Sequence, residues 1–164
     1  MRALFIGGIK SGKSKNAENY ILSFAKEKPI YLATTEFFDE ELHVRIAKHQ
    51  MQRAQKFITL EEPLHLYNAL TKQTAPVLLE CVSMWINNML YHGKNEEEIL
   101  ATLTAITNTQ ANIVFVINDV SCSVIGENAL VREFVDINGR VAQFLAQQCE
   151  EVYNTVAGIS VRIK

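Results

Sequence analysis

Short apolar runs alternate along this chain of 164 residues with longer segments of helical periodicity. The runs are rich in Val, Ile and Leu, which is typical of strands covered on both faces of a sheet. The predicted strands lie at residues 3–6, 30–33, 57–60, 77–81 and 113–117. Four predicted helices lie at residues 13–26, 84–90, 96–107 and 127–148. A further helix is predicted to run from the acidic loop at residues 36–41 to about residue 55, and another begins after Pro63.

This alternation predicts an α/β fold, a mostly parallel central sheet with helices on both faces. Residues 152–156 and 160–163 are expected to close the chain as a strand pair around Gly158. The chain shows no repeat and no linker, and its length fits one domain over residues 1–164. Ligands of such sheets bind at the carboxyl ends of the strands, so residues that end strands are the candidates for function.

Composition narrows the class of protein. With 48% apolar residues, 21% charged residues and a net charge of −2, we expect a soluble protein with no nucleic-acid partner. No run approaches the ~18 apolar residues of a membrane span, so we expect no membrane insertion. Cys81, Cys122 and Cys149 are widely spaced and form no C-x-x-C pair, which favours reduced thiols in a cytoplasmic protein.

The first strand leads directly into the sequence GGIKSGKS, which matches the complete G-x-x-x-x-G-K-[ST] pattern. Glycines let the backbone wrap around a polyphosphate, and the following helix presents its positive N-terminus. Lys13 is expected to reach the β- and γ-phosphates, and Ser14 to offer its hydroxyl to Mg²⁺. The predicted nucleoside triphosphate site therefore contains Gly7, Gly8, Ile9, Lys10, Ser11, Gly12, Lys13 and Ser14.

Polar residues end several of the other predicted strands. Glu80 either orders the magnesium ion or interacts favourably with the dipole of the next helix. We favour magnesium, because a charge so close to a buried strand needs compensation. Asn118 and Asp119 also end a strand, but the sequence indicates no partner for them. The second strand is followed by three polar residues that either bind nucleotide or cap the turn, namely Thr34, Thr35 and Glu36.

The helix predicted after Asp39 carries an unusual face. Four of its residues share one side at spacings i, i+4, i+7 and i+8, namely Arg45, His49, Gln52 and Arg53. A single histidine on a helix is usually a surface residue. Two flanking arginines favour a neutral imidazole that can act as a nucleophile, and they could hold the phosphate that it attacks. We interpret His65 and His92 as surface residues without partners.

Taken together, these segments resemble the adenosylcobinamide kinase/adenosylcobinamide-phosphate guanylyltransferase family of cobalamin biosynthesis. The resemblance runs nearly end to end. It rests on GGIKSGKS, YLATTEFFDEELHVRIAKHQMQR, TLEEP, LLECVSMWINNML, ENALVREFVDINGRVAQFLA and VAGISVRIK. The spacing DEE-x-x-x-RI-x-x-H-x-x-x-R after the phosphate loop is its most specific part.

The resemblance implies a P-loop NTPase-like domain that catalyses two reactions at one nucleotide site. ATP or GTP, with Mg²⁺, would phosphorylate adenosylcobinamide, and GMP would then pass from GTP to that phosphate through a covalent adduct on His49. A homo-oligomer, a trimer, is also implied. Beyond the phosphate loop, the implied nucleotide-site residues are Thr34, Thr35, Glu36, Gln50, Met51, Gln52, Arg53, Glu61 and Glu80.

The chain departs from the family pattern after the strand that ends at Asn118. It reads NDVSCSVIGEN, with Asp119 and Ser121 where the family has glutamate and glycine, and Ala142 replaces a family asparagine. These changes bear on the shape of this loop and on corrinoid binding. Two alternatives stay open: another P-loop small-molecule kinase in which His49 is structural, and a GTP-binding relic without corrinoid turnover.

Overall fold

The computed structural model describes residues 1–36, 55–120 and 126–164. Within these ranges the chain forms seven strands and five helices. The strands are β1 (Arg2–Gly7), β2 (Ile30–Ala33), β3 (Ile58–Glu61), β4 (Val77–Glu80), β5 (Ile113–Asn118), β6 (Glu151–Val156) and β7 (Ile159–Arg162). The helices are α1 (Lys13–Phe24), α2 (Leu66–Leu70), α3 (Val82–Tyr91), α4 (Glu96–Thr109) and α5 (Ala129–Gln148).

The strands form one sheet in the order β3-β2-β4-β5-β1-β6-β7. All neighbouring pairs are parallel except the hairpin β6–β7, so the prediction of a mostly parallel sheet is confirmed. Gly7 at the end of β1 pairs with Asn118 of β5 and Thr155 of β6. Ala33 at the end of β2 pairs with Glu80 of β4. The candidate residues at the strand ends therefore share one edge of the sheet.

Helices cover both faces of the sheet, as the sequence predicts. Successive strand residues point to opposite faces, so Leu4 and Phe5 of β1 belong to different apolar clusters. The cluster around Phe5 is completed by Ile21 of α1. The cluster around Leu4 includes residues of α2 to α5, and Trp85 of α3 is its largest fully buried side chain. Among the described residues, no helix is both long and apolar enough to cross a membrane.

A local cap explains where the longest described helix departs from its predicted start. The helix expected at residue 127 begins at Ala129, because the Asn128 side chain accepts a hydrogen bond from the Leu130 N–H and so occupies the N-cap. The helix expected after Pro63 is only five residues long. The predicted helix between the acidic loop and residue 55 falls mainly on residues 37–54, outside the described ranges.

A carboxylate bridges the hairpin to α1 beside the sheet. Glu151 Oε2 accepts hydrogen bonds from the hydroxyls of Tyr20 and Tyr153, each at 2.7 Å, and Oε1 lies 2.9 Å from the Arg162 guanidinium. The hydrogen bonds from Tyr153 and Tyr20, with the charge of Arg162, hold the pKa of Glu151 below its ordinary value. The native state therefore binds a proton at Glu151 less tightly than the unfolded chain does.

We expect Glu151→Gln to lower the free energy of unfolding at pH 7 by about 1–2 kcal/mol, through weaker hydrogen bonds and loss of the ion pair. The wild type has this contribution in full above about pH 5 and loses it as the pH falls through the lowered native pKa. The stability difference should therefore shrink towards pH 3, as measured by urea unfolding at several pH values. Glu133→Gln, at an exposed position beyond the first turn of α5, serves as the control, and a difference independent of pH would contradict the role of the charge.

Candidate nucleotide-binding site

The phosphate loop joins β1 to α1 at the carboxyl edge of the sheet, which confirms the predicted strand-to-helix junction. A Cβ atom on Gly7 would lie 2.4 Å from the carbonyl oxygen of Thr155 and 2.7 Å from Ser11 Oγ, so only glycine fits there. Gly12 has φ +94°, in the left-handed region, and forms the N-cap of α1. Both fixed glycines of the motif are thus explained by the backbone alone.

The loop curls around the Lys13 side chain. The Ser11 N–H donates to the Gly8 carbonyl at 3.2 Å, and Lys13 Nζ donates to the same oxygen at 3.1 Å. Lys13 is only 6% exposed, so its ammonium group is held at the loop instead of extending into solvent. A fixed cation at the positive end of a helix is an arrangement suited to a polyphosphate.

Ser14 and Glu80, the two predicted magnesium residues, lie in direct contact. The Ser14 hydroxyl donates to Glu80 Oε1 at 2.7 Å, although the residues are 66 positions apart. Glu80 reaches this position as the last residue of β4, and Ser14 as the second residue of α1. Hydroxyl and carboxylate oxygens are ligands that Mg²⁺ accepts, together with water and phosphate oxygens. The residues present therefore fit the ion.

Thr34 connects the end of β2 to the end of β4. Its N–H donates to the Glu80 carbonyl at 3.1 Å, and its hydroxyl exchanges hydrogen bonds with the Cys81 backbone, donating to O at 2.9 Å and accepting from N at 3.1 Å. Thr34 is fully buried. Of the two roles left open by the sequence, its hydroxyl thus fits the local structural one. Burial and the neighbouring Glu80 raise the pKa of the Cys81 thiol, which keeps it protonated.

Asn88 of α3 helps to position the segments beside the site, a role that was not predicted from the sequence. Its side-chain amide is fully buried and donates to the carbonyls of Thr34 at 2.7 Å and Pro63 at 3.1 Å. It therefore holds the segments that leave β2 and β3. The detectable signal was an asparagine within the apolar stretch WINNML, because a buried amide requires specific partners.

His92, at the end of α3, contacts a predicted nucleotide residue. Its Nε2 atom lies 2.7 Å from Glu36 Oε1. His65 and His92 are both exposed, as predicted, but the interpretation of His92 as a residue without a partner was wrong. The contact spans 56 positions along the chain, and nothing in the local sequence indicates it.

Asn118, for which the sequence indicated no partner, belongs to a buried network. Its N–H donates to Ser83 Oγ at 2.9 Å, and its carbonyl accepts from Asn138 Nδ2 at 2.9 Å. The Ser83 hydroxyl in turn donates to Asn138 Oδ1 at 2.7 Å. Asn138 lies in the DINGR segment of α5, so this motif fixes the exit of β5. Ala142, which replaces the family asparagine, packs against the larger apolar cluster.

Glu61, another predicted nucleotide-site residue, lies two strands away from Glu80 in the sheet. Glu61 ends β3 and is exposed, and Ala33 lies in register between it and Glu80. The two carboxylates thus start from backbone positions two strand spacings, or about 10 Å, apart. His49, Gln50, Met51, Gln52 and Arg53 lie outside the described residues, as do Arg45 and Ser121.

Comparison with solved structures supports the fold. The flagellar accessory protein FlaH from Methanocaldococcus jannaschii aligns with a TM-score of 0.53 at 10% sequence identity, over 98% of this chain and 75% of that one. At that identity the likeness concerns the fold alone. Together with the phosphate loop between β1 and α1, it confirms a P-loop NTPase-like fold.

Sequence comparison is more specific. Residues 3–163 match the family model described as cobinamide kinase/cobinamide phosphate guanyltransferase. The bifunctional adenosylcobalamin biosynthesis protein CobU of Salmonella typhimurium is 35% identical over the whole of both chains. The bifunctional protein CobP of Pseudomonas aeruginosa is 34% identical over all of this chain and 98% of its own. The chain therefore belongs to the cobinamide kinase/cobinamide phosphate guanyltransferase family.

Proposed function

We propose that this chain carries out both reactions of its family at the phosphate loop. In the first, the terminal hydroxyl of adenosylcobinamide receives the γ-phosphoryl group of ATP or GTP. In the second, GMP from GTP is joined to the new phosphate and pyrophosphate is released, which yields adenosylcobinamide-GDP. The observation that carries this proposal is the contact of Ser14 with Glu80 beside the buried Lys13, in a chain that matches the family from end to end.

The nucleotide would lie with its phosphates along Gly7 to Ser14. The loop N–H groups and the Lys13 ammonium would bind phosphate oxygens, while Ser14 and Glu80 would hold Mg²⁺. When bound, the ion would neutralise the negative charge that develops on the transferred group and on the leaving group. Lys13 contributes in the same direction in both reactions, because negative charge develops on a phosphate-bearing leaving group in each: ADP or GDP in the first reaction and pyrophosphate in the second.

The GMP transfer would pass through His49. An imidazole nitrogen of His49 attacks the α-phosphorus of GTP, the bond between the α-phosphorus and its bridging oxygen breaks, and pyrophosphate leaves. An oxygen of the corrinoid phosphate then attacks the same phosphorus and breaks the P–N bond, which restores the free imidazole. This route divides one difficult displacement into two easier ones. It is supported by the match of the RI-x-x-H spacing at residues 45–49 to the family pattern.

The remaining partners follow from the same assignment. Adenosylcobinamide and its phosphate are the acceptor substrates, and neither reaction involves nucleic acid. The supply of ATP and GTP favours the cytoplasm as the site of both reactions. A homotrimer stays the expectation from the resemblance, testable by light scattering.

The test uses purified protein, adenosylcobinamide, Mg²⁺ and GTP labelled at either the α- or the γ-phosphate. We expect the γ-label on the corrinoid first and the α-label on it afterwards, with a fraction of α-label on the protein that is acid-labile and base-stable. Transfer of γ-label alone would favour another P-loop kinase. GTP binding without transfer of either label would favour the relic.

We expect Ser14→Ala and Glu80→Gln each to lower both activities by about 10–100-fold and to raise the Mg²⁺ concentration for half-maximal rate. Each substitution removes one oxygen suited to the ion while leaving the loop backbone unchanged. The measurement is a Mg²⁺ titration of initial rates. Ser23→Ala, near the end of α1, is the control because its hydroxyl donates to the Tyr20 carbonyl within the same helix. An unchanged Mg²⁺ dependence in both variants would refute the assignment.

A further inference from the structure

The turn between β6 and β7 packs directly on the phosphate loop. Val156 and Ile159 are paired across it, and the two residues between them, Ala157 and Gly158, have φ +50° and +84°. Two positive φ values are typical of the tight two-residue turns that suit the twist of a hairpin. The tip of the hairpin is therefore a compact, defined piece of backbone at the carboxyl edge of the sheet.

Two backbone contacts join this tip to the loop. The Gly158 N–H donates to the Ser11 carbonyl at 2.7 Å. A Cβ atom placed on Gly12 would lie 2.9 Å from the Gly158 Cα, so the two backbones are already in van der Waals contact. Ser11 and Gly12 are the residues at which the loop turns into α1. The direction of their N–H groups, which matters for phosphate binding, is thus set next to the hairpin tip.

Asn16 is the side chain that fastens the tip from the other side. Its amide nitrogen donates to the Gly158 carbonyl at 3.0 Å and to Ser160 Oγ at 2.7 Å. Ser160 Oγ is hydrogen-bonded to Thr155 Oγ1 at 2.8 Å, and Thr155 is fully buried next to Gly7. The backbone of Asn16 is also bonded to the phosphate loop, since its N–H donates to the Gly12 carbonyl at 3.1 Å.

These hydrogen bonds link three elements to one another: the phosphate loop to α1, α1 to the hairpin, and the hairpin to the phosphate loop. The Asn16 amide donates both of its hydrogen bonds to the hairpin, whose turn packs on the loop proposed to bind the phosphates. A loop held in advance loses less conformational entropy when a ligand binds, and it binds more tightly for that reason.

We propose that Asn16 is a positioning residue for the triphosphate: it holds the β6–β7 turn against the phosphate loop and so fixes the loop in its anion-binding shape. The inference rests on the proposed nucleotide site and extends it to a residue outside the phosphate-loop motif. It also assigns a role to the closing segment VAGISVRIK, whose Gly158 and Ser160 are the two acceptors of the Asn16 amide.

The test compares Asn16→Ala and Ser160→Ala with the wild type, and Asn108→Ala, an exposed residue of α4, is the control. Titration calorimetry with GTP and with inorganic triphosphate should show affinities about tenfold weaker for Asn16→Ala and about threefold weaker for Ser160→Ala. The similar loss with inorganic triphosphate is expected because the contacts concern the phosphates and not the base. Asn16→Gln, which keeps the amide, should recover part of the loss.

Kinetics separate positioning from a merely structural role. The loop contacts the nucleotide before and during the reaction, so we expect KM for GTP to rise about tenfold in both reactions with kcat changed less than threefold. A variant that is only less stable would show a lower active fraction, hence a lower kcat at unchanged KM. Unchanged affinity for GTP and inorganic triphosphate in both Asn16→Ala and Ser160→Ala would overturn the positioning role of Asn16 but leave the proposed function standing. Failure of the wild type to bind GTP would overturn the proposed function with it.

Discussion

Replacement of His49 by alanine is expected to abolish GMP transfer, by at least about 10³-fold, while leaving corrinoid phosphorylation at least partly intact. The reason is chemical. In the proposed route the imidazole forms a bond to the α-phosphorus only in the second reaction. In the first, the corrinoid hydroxyl attacks the γ-phosphorus directly. The two activities of one protein should therefore separate at this residue.

The measurement is product formation from γ-labelled and α-labelled GTP in parallel, with the protein itself checked for α-label after denaturation. His65→Ala is the matched control, since His65 is exposed and lies outside the proposed site. Survival of GMP transfer in His49→Ala would remove the nucleophile assignment. A parallel loss of both activities would instead indicate a role for His49 in binding the nucleotide.

Lys13→Met should reduce both reactions together, by about 10²–10³-fold, which is the cost of removing one preorganised charge from a transferring phosphoryl group. Methionine keeps most of the buried stem of Lys13 and removes only the ammonium group that donates to the Gly8 carbonyl. The melting temperature should change little, and so the loss is attributable to the missing charge.

The control for this substitution is Lys15→Met, on the same helix, whose side chain is 66% exposed. Rates of both reactions and GTP affinity are measured for the two variants side by side. A loss confined to one reaction would contradict a single phosphate loop that serves both. Equal losses in Lys13→Met and Lys15→Met would point to a general effect of charge on α1.

Several elements followed from the sequence because their causes are local. The apolar run of β5 can be buried on both faces only within a sheet, and the spacing of GGIKSGKS requires a loop between a strand and a helix. The start of α5 also has a local cause. Asn128 lies two positions before Leu130, as an N-cap residue should, and this spacing would have moved the expected start from residue 127 to residue 129.

The partners of the site residues followed from the tertiary structure. Ser14 meets Glu80 across 66 positions, and Ser83 meets Asn138 across 55, because the strand order brings β1, β4 and β5 side by side. A sequence shows which residues can donate or accept a hydrogen bond, but the choice of partner depends on which strands become neighbours.

The sequence by itself thus determined the α/β class, the phosphate loop with Lys13 and Ser14, the candidate nucleophile His49 and the family. Each of these depends on residues close together in the chain or on a pattern that spans it. Only the tertiary structure decided that Glu80 lies against Ser14, that Asn88 and Asn138 hold the strand exits, and that Asn16 binds the β6–β7 turn. These contacts arise because parallel strands from distant parts of the chain end at one edge, where buried polar groups must find partners.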